Sequence, residues 1–176
     1  MDAIEITSPL TDDVIAGLRV GQKVLLSGTV YTARDAAHKR IVAAMQNGED
    51  FGFDVAGQTI YYTGPCPARP GNPIGPVGPT TSGRMDAYTP YLLERGLKAM
   101  IGKGFRSPEV KEALVANRAV YMAAIGGAAA VMMRCVKSAE FVAFDELGTE
   151  AVRKLVVEKM PLIVAMDIHG GDIYKV

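Results

Sequence analysis

YYTGPCPARPGNPIGPVGPTTSGRMD, residues 61–86, is the stretch on which the reading of this chain turns. Six of the ten prolines fall in it, at 65, 67, 70, 73, 76 and 79, with five glycines among them at 64, 71, 75, 78 and 83. Proline fixes φ and glycine permits positive φ, so the segment is neither regular helix nor regular strand. Nor is it a flexible linker: proline stiffens it, and Ile74 and Val77 are apolar anchors that a disordered tail lacks. It reads as a long rigid loop laid over a core, and a loop of that length inside a compact domain is usually functional. Its end, Thr80-Thr81-Ser82-Gly83-Arg84, gathers three hydroxyls, a glycine and a guanidinium. A helix starting there would add N–H groups and a dipole to an anion site. The plainer alternative is a structural loop with a capped helix behind it.

Outward from the loop, the flanks alternate strand and helix. On the N-terminal side, residues 58–63 read as a strand feeding the loop, and residues 51–55 are ambiguous. Lys23 to Thr32 is β-branched and aromatic, a strand with Gly28 as a bulge or close approach. Helix formers follow it directly, to a stop at Asn47-Gly48. Arg34 stands at this strand-to-helix junction, where α/β proteins often present ligand-facing groups, and His38 is one turn on. Pairing of Arg34 with Asp35 or Asp50, with His38 solvated, is the structural alternative. Thr11 or Asp12 caps a short helix before the first strand.

Past the loop, residues 85–95 are helical in composition, and Pro90 either starts a second helix or kinks one. A short buried strand, 97–101, ends in Gly102-Lys103-Gly104. That tripeptide lacks the earlier glycine and the following Ser/Thr of a P-loop, which removes nucleotide binding. Ser107-Pro108 opens another helix, residues 119–125 form a strand, and Gly126-Gly127 opens a helix over 128–136. The spacing then predicts a strand over 140–144, an amphipathic helix over 148–159, a last core strand over 162–168 and an edge strand over 173–176. The alternation predicts one mixed α/β domain spanning 1–176.

Lys plus Arg and Asp plus Glu each total 19, so the net charge is zero, which argues against a general nucleic-acid binder. Cys66 and Cys135 make neither a disulfide framework nor a metal quartet, and Cys66 reads as structural. No apolar run is long enough to span a bilayer. The opening Met-Asp-Ala-Ile-Glu has no signal-peptide character, so the expected compartment is the cytoplasm.

Three motifs carry a resemblance: Ala33-Arg34-Asp35-Ala36-Ala37-His38, Gly78-Pro79-Thr80-Thr81-Ser82-Gly83-Arg84-Met85-Asp86 and Gly102-Lys103-Gly104. With weaker echoes at Gly126-Gly127-Ala128-Ala129 and 161–167, the chain resembles the β-type portion of iron–sulfur class I fumarases and L-tartrate dehydratases, over almost its whole length. The resemblance implies a swivelling β/β/α three-layer domain that closes over a 4Fe-4S cluster. The cluster would be held by an α-type partner and not by this chain. It implies substrate contacts for Arg34, Arg84 and Lys103 and a proton-abstracting hydroxyl at Thr80; His38, ranked second among the substrate-binding residues, could hold a carboxylate or the loop. Independently, a C4 dicarboxylate needs fixed cations with planar forks, which two arginines and a lysine supply. The reaction implied is reversible hydration of fumarate to malate. Tartrate dehydration, or a non-catalytic anion-binding or assembly role on the same fold, are the alternatives.

Overall fold

The computed structural model describes residues 2–124 and 129–175. Seven strands are present among them: β1 (Ile4–Ser8), β2 (Lys23–Thr32), β3 (Thr59–Tyr61), β4 (Ala99–Gly102), β5 (Val120–Ala124), β6 (Val136–Ala143) and β7 (Val152–Met166). Five helices accompany them: α1 (Asp12–Gly17), α2 (Asp35–Asn47), α3 (Thr89–Glu94), α4 (Pro108–Ala116) and α5 (Ala129–Cys135). The sheet order is β1-β2-β3-β4-β5-β7-β6, mixed α/β, with β1 to β5 parallel and β7 antiparallel to β5 and β6. β7 also pairs antiparallel with β2, so β2, β3, β4, β5 and β7 close into a ring.

Alternation along these strands sorts the core into two clusters. Leu26, Val30, Ile101, Val120, Met122, Leu155, Leu162 and Val164 share one, sealed by Ile15 of α1, Leu18 just after it and Met132 of α5. Ile74 and Val77 belong to it as well, so the proline-rich segment is anchored over a core by the two residues that marked it. Ile60, Met100 and Tyr121 point the other way, against Ala37 and Ile41 of α2, Leu92 and Leu93 of α3 and Leu114 of α4.

Local signals behave as their chemistry dictates. Thr11 Oγ1 accepts from the Val14 amide, and Ser107 Oγ from that of Val110, capping α1 and α4. Gly48 ends α2 in the left-handed region. Gly28 has φ +102°, a Cβ there would run into the Ser8 carbonyl oxygen, and the β2–β7 register shifts beside it. At Pro90 the chain starts a new helix, α3, rather than kinking an old one, with proline in its first turn.

Four expectations are corrected. Residues 4–8, for which no element is predicted, form edge strand β1; only Ile6 and Ser8 of it are buried, so its apolar signal is weak. The predicted helix over 148–159 is instead a 3-10 turn, Asp145–Glu150, followed by the fifteen-residue strand β7. Both faces of the strand are buried, and a bulge further breaks the two-residue alternation. Val157 faces Gly28 and Met160 faces Leu26, with Lys159 at φ +49° between them, so one face is reached after three residues instead of two. Leu155 and Val152 lie in opposite core clusters, as a strand requires. β6 begins at Val136, four residues earlier than predicted. At the C-terminus only an isolated antiparallel bridge, Met166 to Asp172, forms in place of an edge strand. The helix opening expected at Gly126-Gly127 and the echo motif there lie outside the described residues, apart from Ala129.

Candidate active site

Parallel pairing brings the ends of β2, β3, β4 and β5 to one edge, with Thr32 beside Tyr61, Tyr61 beside Ile101, and Gly102 beside Ala123. Ligands of α/β sheets bind outside such carboxyl ends. Arg34 follows β2, Lys103 follows β4, and the end of the proline-rich loop is stitched in between. The Thr80 amide donates to the Tyr62 carbonyl at 2.7 Å, and the Ser82 amide donates to the Lys103 carbonyl at 2.8 Å. Thr81 and Lys103 form a parallel bridge. The loop end thus behaves as a short strand filling the mouth between β3 and β4, which sets Thr80 and Lys103 in one register.

A 3-10 turn, Ser82–Met85, follows, not the α-helix that would supply a macrodipole. The Thr80 and Ser82 amides are already committed to carbonyls. Positive charge at this edge therefore comes from side chains. Arg84 is half-exposed and ion-paired to Asp35 at the start of α2. Only one of its nitrogens is engaged there, leaving further donors of the fork for a second carboxylate. The Nε of Arg34 lies 3.7 Å from Glu150 and has no hydrogen-bond partner among the described residues. Arg34 therefore pairs with neither Asp35 nor Asp50. Its stem lies against Gly64, where a Cβ would come within 2.9 Å of Cδ. Lys103 is exposed and makes no salt bridge among the described residues. Thr80 is half-buried, and its hydroxyl makes no hydrogen bond among them.

His38 is completely buried, unlike the solvated residue of the structural alternative. Its Nδ1 donates to the Arg34 carbonyl at 2.8 Å, because a carbonyl can only accept, and Nε2 has no partner among the described residues. The ring packs edge-on to Tyr62. Burial lowers its pKa to about 4, against the opposing hydrogen bond to Arg34. A buried neutral imidazole is no cation for a dicarboxylate, so its link to the site is through the Arg34 backbone.

Other participants carry no sequence signal of their own. Ser82 is fully buried, 2.8 Å from the Tyr121 hydroxyl. Tyr121 donates to the Gly104 carbonyl at 2.9 Å, so it accepts from Ser82. Arg106, also buried, reaches Asp86 at 2.7 Å, Thr89 Oγ1 at 2.8 Å and the Tyr62 hydroxyl at 3.2 Å. Asp86 closes one motif and Arg106 lies just beyond another, but nothing in the linear order says that they meet.

The four charged or hydroxylic residues stand on an open rim. A 380 Å³ cleft opens nearby between Pro65, Cys66, Phe141 and Arg153, and a 590 Å³ groove lies around Arg19 and Lys23; none of Arg34, Thr80, Arg84 and Lys103 lines either. An iron–sulfur cluster does not fit this chain's donors. Clusters are held by several cysteines, or by two cysteines with two histidines, gathered in one place, and no such group of three or more His, Cys, Asp or Glu side chains gathers among the described residues. The sequence has two cysteines, one exposed in the loop and one at the end of α5 with its Sγ toward the Val131 carbonyl. No helix among the described residues is long and apolar enough to cross a membrane.

Residues 1–176 match the family model described as fumarase C-terminus. The chain is 40% identical over 172 residues to a Methanocaldococcus jannaschii protein named "Putative L(+)-tartrate dehydratase subunit beta", covering 94% of this chain and 88% of that one. It is 40% identical to fumarate hydratase 2 of Leishmania major and 38% identical to the aerobic class I fumarate hydratase of Escherichia coli, each over 89% of this chain. It spans only 28% and 29% of the lengths of those two proteins.

Proposed function

The chain belongs to the fumarase C-terminus family, and from that premise we propose that it is the β-type part of an iron–sulfur hydro-lyase interconverting fumarate and malate. The observation that carries the reading is the stitching of Thr80 and Ser82 between Tyr62 and Lys103, which holds a hydroxyl and a lysine together on an edge flanked by Arg34 and Arg84. A dicarboxylate spans two guanidinium forks, and Lys103 adds a point charge. Thr80 Oγ1 takes the proton from the carbon next to a carboxylate. A free hydroxyl is a weak base, so the cations around it must stabilise the alkoxide. Arg84 is held ready by Asp35, and the substrate carboxylate binds its remaining donors. The 4Fe-4S cluster, a Lewis acid for the departing hydroxyl, belongs to an α-type partner. The exposure of Arg84 and Lys103 supports this, since both cations are open to a group from outside the described residues. A swivelling of the domain would close the site, in an assembly expected in the cytoplasm.

The near end-to-end match to the tartrate dehydratase β-type protein favours one second reading, dehydration of L-tartrate by a two-subunit enzyme. The deciding experiment is anaerobic co-expression with the cluster-bearing partner and a screen of malate, fumarate, tartrate and mesaconate. Turnover of malate and fumarate supports the proposal. Turnover of tartrate alone selects the second reading, and inactivity on all four leaves an anion-binding or assembly role.

A further inference from the structure

Thr80, Arg84 and Lys103 come from two segments, 80–86 and 103–107, that are separate in the chain and adjacent in space. Their main chains meet once, through the Thr81–Lys103 bridge and the Ser82 amide on the Lys103 carbonyl. A second set of bonds lies beneath. Arg106 Nε donates to Asp86 Oδ1 at 2.7 Å, and the Ser107 amide donates to Asp86 Oδ2 at 2.7 Å, so one carboxylate is gripped on both oxygens by the segment that follows Lys103. The same guanidinium donates to Thr89 Oγ1 and to the Tyr62 hydroxyl. Tyr62 is the residue whose carbonyl holds the Thr80 amide at 2.7 Å. The Arg106 side chain is wholly buried and that of Asp86 nearly so, which removes both from any contact with substrate.

We infer that Arg106 and Asp86 form a positioning clamp that sets Thr80 and Arg84 against Lys103. The inference rests on the hydro-lyase reading for its consequence in turnover, and on geometry alone for the clamp. A planar fork satisfies three acceptors in fixed directions; an ammonium is a point charge on a flexible stem and does not. Loss of the fork frees the hinge between the two segments while the parallel strands beneath keep their ladders. A shift of about 1 Å in reacting groups lowers rate by about 10²-fold.

The test uses Arg106→Lys and Asp86→Asn, which keep volume and most of the packing, so that one folded variant suffices. Amide hydrogen exchange on the chain compares Thr80 and Ser82 with Tyr121 and Met122 of β5. The clamp predicts protection falling by ~10-fold or more at Thr80 and Ser82, with β5 within about threefold. Kinetics of the assembled enzyme then predict kcat/KM lowered by about 10²-fold, with a rise in KM because Arg84 and Lys103 also lose their setting. Unchanged exchange at Thr80 and Ser82, or equal loss in β5, overturns the clamp and leaves Arg106 a general fold contact. Local loss of protection with full turnover overturns its positioning role. If the wild-type assembly turns over none of the dicarboxylates, the functional reading fails, and the exchange data alone decide the clamp.

Discussion

Acidification should destabilise this protein in part through His38. In the folded chain its ring is sealed among Tyr62, Tyr88 and α2, and burial holds its pKa near 4 against an ordinary 6.5. Arg106 pushes in the same direction, while the Arg34 carbonyl and Asp35 oppose it. Below pH 6.5 the unfolded chain takes up a proton that the folded chain refuses. Stability contributed by the neutral ring is therefore complete above pH 6.5 and is lost as pH falls toward 4. Each pKa unit corresponds to about 1.4 kcal/mol, so the loss at pH 4 is about 3 kcal/mol, a large part of the stability of a domain this size. The assay is urea unfolding at pH 7.5, 6.5, 5.5 and 4.5 for the wild type and His38→Leu, which keeps volume and removes the titration. Carboxylate effects common to both cancel in the difference. The wild-type curve should fall toward the variant's, by about 2–3 kcal/mol over the range. Parallel profiles would refute the reasoning, and would mean that the imidazole is hydrated or that its Nε2 has a partner.

On the proposed mechanism, Thr80→Ala in the assembled enzyme should lower kcat by at least ~10²-fold with KM within a few fold, because a proton-carrying hydroxyl acts only in the transition state; a rise in KM alone would make Thr80 a binding residue. Arg84→Lys should cripple turnover without moving the unfolding midpoint, because charge survives and the fork does not; near-normal activity removes Arg84 from the site. Ser82→Ala is expected to act on stability, by about 1–3 kcal/mol, since it leaves the buried Tyr121 hydroxyl without its donor; calorimetry checks it, and Thr81→Ala is the better neutral control. Gly28→Ala should lose at least ~2 kcal/mol, from the positive φ and the clash with Ser8; a soluble variant of unchanged melting temperature would contradict the geometry. The partner-free chain should purify without an iron–sulfur absorption band, because two separated cysteines cannot ligate a cluster.

Sequence alone determined what depends on neighbours in the chain. The caps at Thr11 and Ser107 and the stop at Gly48 are properties of local φ, ψ and side-chain reach. The motifs around Arg34, Thr80, Arg84 and Lys103 were legible as candidate chemistry for the same reason, since residue type and short-range order are all that such a reading needs. Tertiary structure decided what depends on partners far away in the chain. Residues 148–159 read as a helix until pairing with β2 and β6 makes 152–159 the first half of β7, because three- and four-residue spacing is ambiguous without a register. Whether His38 is solvated or sealed depends on Tyr62 and Tyr88, residues no helix periodicity could supply. Asp86 and Arg106 are two surface-type charges in the sequence, and only the adjacency of the β3 and β4 ends turns them into a buried pair. Burial and pairing are properties of the space between segments, and they enter when the ring of strands closes.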